Sequence, residues 1–152
     1  PLNLSESTIK NFESSLRLFY MGNKRKANSI LTDQKMNMSD KDRVKVMEKM
    51  VSLSEYFKDS LKNNDFDLVG KLLNENWNYK KKLADKISNN YIDNYYSKAL
   101  KCGAIGGKLL GAGETGFLLI MAHDHQLIEK NMNCRFLKVN IDTVGSKIIY
   151  KG

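Results

Sequence analysis

The spacing of apolar positions changes once along this chain, and the change divides it into a helical and an extended part. Between residues 41 and 102 apolar residues recur every three or four positions. From residue 104 to 122 they form two continuous runs around a cluster of glycines. Before both, residues 16–21 make a short apolar stretch closed by Gly22 and Asn23, which predicts a strand and a turn. Ala27, Ile30 and Leu31 share one face of a helix predicted over residues 24–34. Ser39 with Asp42 three positions later is a capping-box pattern opening a long helix. Within it Val44, Met47 and Val51 form one row, and Val46, Met50, Leu53, Phe57 and Leu61 an adjacent one, a wide apolar stripe. Asn63 and Asn64 end that helix and Asp65 caps the next, in which Val69, Leu72, Leu73, Trp77, Ala84 and Ile87 recur at helical spacing. Ser88 or Asn89 starts another, with Ile92, Tyr95, Ala99 and Cys102 on one face and Gly103 as its terminator.

The extended part reads differently. Residues 104–110 and 116–122 are predicted to pair as an antiparallel hairpin, and the second run is apolar on both faces, as a covered central strand is. Asp124 is placed to cap a short helix running to about Met132. Leu137, Val139 and Ile141 alternate with Lys138 and Asn140, the pattern of a half-buried strand, and residues 147–150 predict a last short one. These elements imply an α+β, two-layer domain with a mostly antiparallel sheet covered by helices. Pro1 is the only proline, and no Ser- or Gly-rich linker or internal repeat interrupts residues 1–152, so a single domain is expected.

Composition narrows the chemistry. The net charge of +8 comes from 25 Lys and Arg against 17 Asp and Glu. The lysines are spread among Asp, Glu and Asn on helical segments without interleaved aromatics. That pattern describes solvated helix faces rather than a nucleic-acid surface, and no nucleic-acid partner is expected. A diffuse positive field still favours phosphorylated ligands. The longest apolar run, residues 117–122, falls far short of the ~20 residues that span a bilayer, so no membrane partner is expected. Cys102 and Cys134 lack metal-site spacing and point to a reducing compartment, cytoplasm by default. His123 and His125 have strand-compatible spacing for a metal but no third ligand nearby, so a polar turn is the better reading and no metal site is assigned. Trp77 and the Tyr91, Tyr95 and Tyr96 group read as packing residues of helices. No Ser, His and Asp arrangement suggests nucleophilic catalysis.

The stretch from Gly103 to Met121 holds six of the ten glycines. Its centre, Gly111-Ala112-Gly113-Glu114-Thr115-Gly116, is either a hairpin turn whose glycines serve backbone geometry or a loop that offers bare N–H groups to an anion. With Leu16-Arg17-Leu18-Phe19-Tyr20-Met21-Gly22, then Arg25, Ala27 and Ile30-Leu31, it resembles the C-terminal half of the GHMP small-molecule kinases. Trp77 with Lys80 to Lys82, Ile87-Ser88 and Ile92-Asp93 extend the likeness, which is nearest to the sugar kinases acting on D-glycero-D-manno-heptose 7-phosphate.

The resemblance implies a ferredoxin-like C-terminal domain and ATP-dependent transfer of the γ-phosphoryl group to a sugar hydroxyl. It places Lys108, Gly111, Ala112, Gly113, Glu114, Thr115 and Gly116 on the nucleotide side, and Arg25 on a substrate phosphate. Glycines usually stand where this chain has Glu114 and Thr115. A carboxylate there would repel a phosphate, so the loop is expected to support the nucleotide site rather than cradle it. Nothing matches the family's Pro-x-x-x-Gly-Leu-Gly-Ser-Ser-Ala phosphate loop. The chain is therefore read as the C-terminal half of a longer kinase, with no catalytic residue of its own. Its partner would be its own N-terminal domain, which would hold most of the ATP and Mg2+. A non-enzymatic α+β module that binds a ligand or another chain is the alternative, and an RNA-binding domain a third.

Overall fold

The computed structural model describes residues 2–22, 41–83, 87–113, 115–142, 144–146, 148 and 150. The helix expected over residues 24–34 lies outside them. The chain opens with a helix the apolar pattern did not announce, α1 (Glu6–Ser14), whose N-cap Ser5 accepts the Thr8 N–H. It leads directly into β1 (Leu16–Tyr20). The long helix α2 (Lys41–Lys62) ends where Asn64 takes a left-handed conformation, φ 57°, which asparagine tolerates. Asp65 then caps α3 (Phe66–Lys81) by accepting the Leu68 N–H at 2.9 Å.

Helix α3 was expected to run through Ile87 but ends at Lys81. Lys82 and Leu83 close it by bonding back three residues, to the carbonyls of Tyr79 and Lys80. Ile87 reaches the core from the connector instead, fully buried. Asn89 caps α4 (Asn90–Lys101) through the Ile92 N–H, and Gly103, at φ 101°, ends it.

The glycine region forms the expected hairpin of β2 (Gly106–Gly113) and β3 (Thr115–Met121). A short helix, α5 (Gln126–Met132), follows. Its N-cap position is His125, and Asp124, one residue earlier, accepts the Gln126 N–H. The half-buried strand expected from Leu137 to Ile141 is shorter and more open: β4 (Phe136–Lys138) is exposed at all three positions, because it lies at the sheet margin beyond the helical cover. In the segment expected as a last strand, Ile148 and Tyr150 are not in a strand and are 75% and 82% exposed.

The sheet order is β2-β3-β1-β4, antiparallel throughout, the βαββαβ arrangement of a ferredoxin-like α+β domain. Strand β3 is central. Leu118 sits between Phe19 and Leu109, Leu119 between Leu18 and Lys108. Alternation sends these sets to opposite faces. On one face Phe19, Leu109, Leu118 and Ile120 pack against Trp77 of α3, Ile92 and Tyr96 of α4, and Ile128 and Met132 of α5. On the other, Leu16 and Met121 meet Phe12, Leu61, Val69 and Leu73 from α1, α2 and α3. Only one of the two apolar rows of α2 faces inward. Leu53, Phe57 and Leu61 approach the core, whereas Val51 is 70% exposed and, with Val44 and Met47, lines an open surface groove of about 430 Å3. Among the described residues no helix is long and apolar enough to cross a membrane.

Candidate functional site

Pairing of β2 with β3 is regular from Gly106 opposite Met121 to Leu110 opposite Phe117, then slips to Gly113 opposite Thr115. The slip bulges the tip of the hairpin. Gly111 and Gly116 bound it at φ 104° and 120°, a region L side chains seldom enter, and a Cβ on Gly116 would stand 2.8 Å from the Leu110 carbonyl oxygen. Two contacts hold the tip from either side. Lys80 Nζ donates to the Gly111 carbonyl at 2.9 Å, and the Met21 N–H donates to the Gly116 carbonyl at 2.8 Å. The end of β1, just before Gly22, therefore abuts the tip.

Helix α3 runs along the margin strand β2 and sets its position. Close approach begins at Gly106, where a Cβ would lie 1.9 Å from the Gly70 carbonyl oxygen, so only glycine lets helix and strand touch there. Farther along, Lys108 Nζ donates to Asn76 Oδ1 at 2.7 Å, and Lys80 reaches Gly111. Ten helix residues cover about 15 Å and five strand residues about 16 Å, so the two elements stay in step from Gly70 to Lys80. The Tyr96 hydroxyl of α4 donates to Asn74 Oδ1 at 2.7 Å and lies 3.3 Å from the Gly107 carbonyl. Burial pushes that phenol far above its ordinary range.

The family likeness places Lys108 on the nucleotide side. It is half-buried on the α2 and α3 side of the sheet, lining a cavity of about 190 Å3 with Leu53, Phe57, Leu72, Leu73 and Asn76. Burial lowers its ammonium pKa; burial and then the charge of Lys108 lower that of Lys80. Lys80 enters the sequence pattern only through the family likeness, because its contact spans 31 residues and no local pattern encodes it. Gly111, Ala112, Gly113, Thr115 and Gly116 come together in the hairpin. Glu114 and Arg25 lie outside the described residues.

The other residues weighed for chemistry disperse. Trp77 is fully buried in the core, with its indole N–H unpartnered among the described residues. The Tyr91 and Tyr95 ring centroids lie 4.7 Å apart on α4. His123 Nε2 is 3.1 Å from Asp67 Oδ1 at the surface, whereas His125 is buried with Nε2 2.9 Å from the Ser15 carbonyl. The two imidazoles do not share a site. Among the described residues no three His, Cys, Asp or Glu side chains converge as a metal site.

The sequence pattern of the family described as GHMP kinases C terminal matches residues 57–138, more than half of the chain and the whole of the hairpin. D-glycero-alpha-D-manno-heptose 7-phosphate kinase of Campylobacter jejuni is 26% identical over 118 residues, 78% of this chain and 35% of that enzyme. The bifunctional fucokinase/GDP-fucose pyrophosphorylase of Arabidopsis thaliana is 28% identical over 126 residues, 82% of this chain and 12% of that protein. The chain thus spans about a third or less of the curated relatives it matches. In three dimensions it is similar to L. major mevalonate kinase, solved with R-mevalonate, with a TM-score of 0.72 and 18% identity over 81% of this chain and 40% of that one.

Proposed function

The chain belongs to the GHMP kinase C-terminal family, and from that premise we propose that it is the C-terminal part of an ATP-dependent sugar kinase whose substrate is D-glycero-D-manno-heptose 7-phosphate. The reaction moves the γ-phosphoryl group of ATP to a sugar hydroxyl. Catalysis in such transfers comes mainly from positioning and from stabilising charge. The observation that carries the reading is the bulged hairpin tip, bounded by two glycines at positive φ and fixed by Lys80 on one side and Met21 on the other. A rigid strand-borne turn of this kind can form one wall of a phosphate-transfer cleft.

In this reading the backbone from Gly111 through Ala112, Gly113, Glu114 and Thr115 to Gly116 flanks the nucleotide, Lys108 contributes positive charge behind it, and Arg25 takes the substrate phosphate bidentately. Mg2+ needs oxygen ligands that converge. Among the described residues no three His, Cys, Asp or Glu side chains converge; on the family likeness, the metal and most of the ATP contacts are assigned to an N-terminal half, the domain's partner in the whole enzyme. The heptose assignment follows the Campylobacter relative.

ADP release by the full-length protein tests the reading when heptose 7-phosphate, fucose and mevalonate are compared as acceptors. The expected result is a kcat/KM for the heptose phosphate at least tenfold above the others. Preference for fucose or mevalonate would overturn the substrate. No ADP release with any acceptor would overturn the kinase and leave a binding module.

A further inference from the structure

We propose that Lys80 and Lys108 form an oxyanion site of their own, a seat for a phosphoryl group on the α3 flank of the glycine hairpin. Both ammonium groups are held in place by neutral oxygens, Lys80 by the Gly111 carbonyl and Lys108 by Asn76 Oδ1. An ammonium has three donors, so each keeps up to two for a ligand. Asn76 and Lys80 are four residues apart, one turn of α3, which places both lysine contacts on the same stretch of helix against β2.

Among the described residues neither lysine has a carboxylate in ion-pair range, whereas Lys10, Lys45, Lys58 and Lys81 do. Burial without a counter-charge disfavours both ammonium groups, and the charge of Lys108 adds to that effect at Lys80. A bound dianion removes both costs at once. Phosphate chemistry fits better than a single carboxylate, because it brings close to two negative charges and three acceptor oxygens to two ammonium groups. The seat differs from a loop cradle: charge comes from side chains behind the hairpin, and the turn itself is only held by one of them.

That an oxyanion binds does not depend on the kinase reading; which phosphate occupies the seat does. Titration of the chain with inorganic phosphate and with tripolyphosphate, followed by the 13Cε signals of its lysines and the amide signals of the hairpin, tests the site. Saturable shifts at Lys80, Lys108 and Gly111 are expected, with tripolyphosphate affinity falling at least tenfold in Lys80→Met and in Lys108→Met. Lys80→Arg should stay within about threefold, since the charge persists, and Lys71→Met, a change at an exposed position of α3, within twofold. If Lys108→Met does not fold, the Met and Arg variants at Lys80 still decide. No saturable shift in the unaltered chain, or Lys80→Met binding within twofold of it, would overturn the site.

In the full-length enzyme a Lys80→Met change that raises KM for ATP alone assigns the seat to the nucleotide, and one that raises KM for the sugar phosphate alone assigns it to the acceptor. Oxyanion binding without phosphoryl transfer would sink the kinase reading and leave the seat. Transfer with no oxyanion binding to this chain would do the reverse.

Discussion

The two margins of the sheet meet the same problem in opposite ways. A margin strand presents unpaired backbone groups, and β2 and β4 both stand at a margin. Strand β2 is covered: α3 lies along it with glycine against glycine, and the Gly107 and Gly111 carbonyls face side-chain donors from Tyr96 and Lys80. Strand β4 is left open on its outer side, three residues long, with Leu137 55% exposed; it is held by its pairing with β1 and by the Phe136 ring against Phe19. Covering a margin makes its geometry precise, and the covered margin is the one that carries the glycine hairpin. A site that must hold backbone atoms in place gains from a helix pressed on its strand.

Breaking the covered margin should have the largest effect. Gly106→Val puts a branched side chain where a Cβ alone would come within 1.9 Å of the Gly70 carbonyl. Neither backbone can yield without separating α3 from β2. Loss of about 4 kcal/mol or more is expected, a large share of the roughly 5–15 kcal/mol that holds a domain folded, as read by circular dichroism melts. Gly116→Ala is milder, since one methyl meets the Leu110 carbonyl at 2.8 Å in a positive-φ conformation. Strain of about 1–3 kcal/mol is expected in denaturant titrations. At the open margin Leu137→Ala should cost less than about 1 kcal/mol, because little area is returned to water. A loss there equal to that of Gly116→Ala would erase the contrast.

A pH series sharpens the comparison at the end of the sheet away from the hairpin tip. Buried His125 bonds the Ser15 carbonyl through Nε2, which makes Nε2 the donor, and its Nδ1 has no partner among the described residues. Protonation would place a second N–H where nothing accepts it. Burial first, opposed by the Ser15 bond, and then the charge of Arg17, against Glu129 and Asp124, hold its pKa below the ordinary 6.5. The folded pKa lies below the unfolded one. The stability from neutral His125 is therefore complete above pH 6.5 and is lost as pH falls through the folded value. Tm should be flat above about pH 7 and decline in mild acid, and the decline should shrink in His125→Gln. An unchanged slope in that variant would assign the acid sensitivity to other groups.

The hairpin was legible because its signals are local: two apolar runs, the glycines between them and the period-two alternation are all within 19 residues. Caps were legible for the same reason, as Asp65 and Asn89 show. Long-range facts were not. Nothing near Lys80 announces the Gly111 carbonyl, and nothing in the row of Val44, Met47 and Val51 tells it from the inward row beside it. Helix α1 carried a readable cap at Ser5, but Ile9 and Phe12 alone make too short an apolar period to assert a helix. The alternation of Leu137, Val139 and Ile141 marks a strand, while its burial depends on cover the tertiary fold does not extend to β4.

The smallest effect is expected at the hairpin tip itself. If the tip supports the nucleotide site without touching phosphate, replacing Glu114 and Thr115 by glycine in the full-length enzyme should leave KM for ATP within roughly threefold, since loss of a supporting contact costs under ~1 kcal/mol. Direct contact has a different signature. A carboxylate a few ångströms from a polyphosphate in a partly dry cleft is repulsive, so its removal would then tighten ATP appreciably. A large fall in kcat would instead mean that Glu114 holds the metal or a substrate hydroxyl, against the assignment of magnesium to the other half. Steady-state kinetics at saturating magnesium separates the three outcomes. A Lys80→Met companion adds one more discrimination: because Lys80 fixes Gly111 from the covered side, its loss should raise KM more than the double glycine change does, and the reverse order would show that the tip is positioned by its own residues rather than by α3.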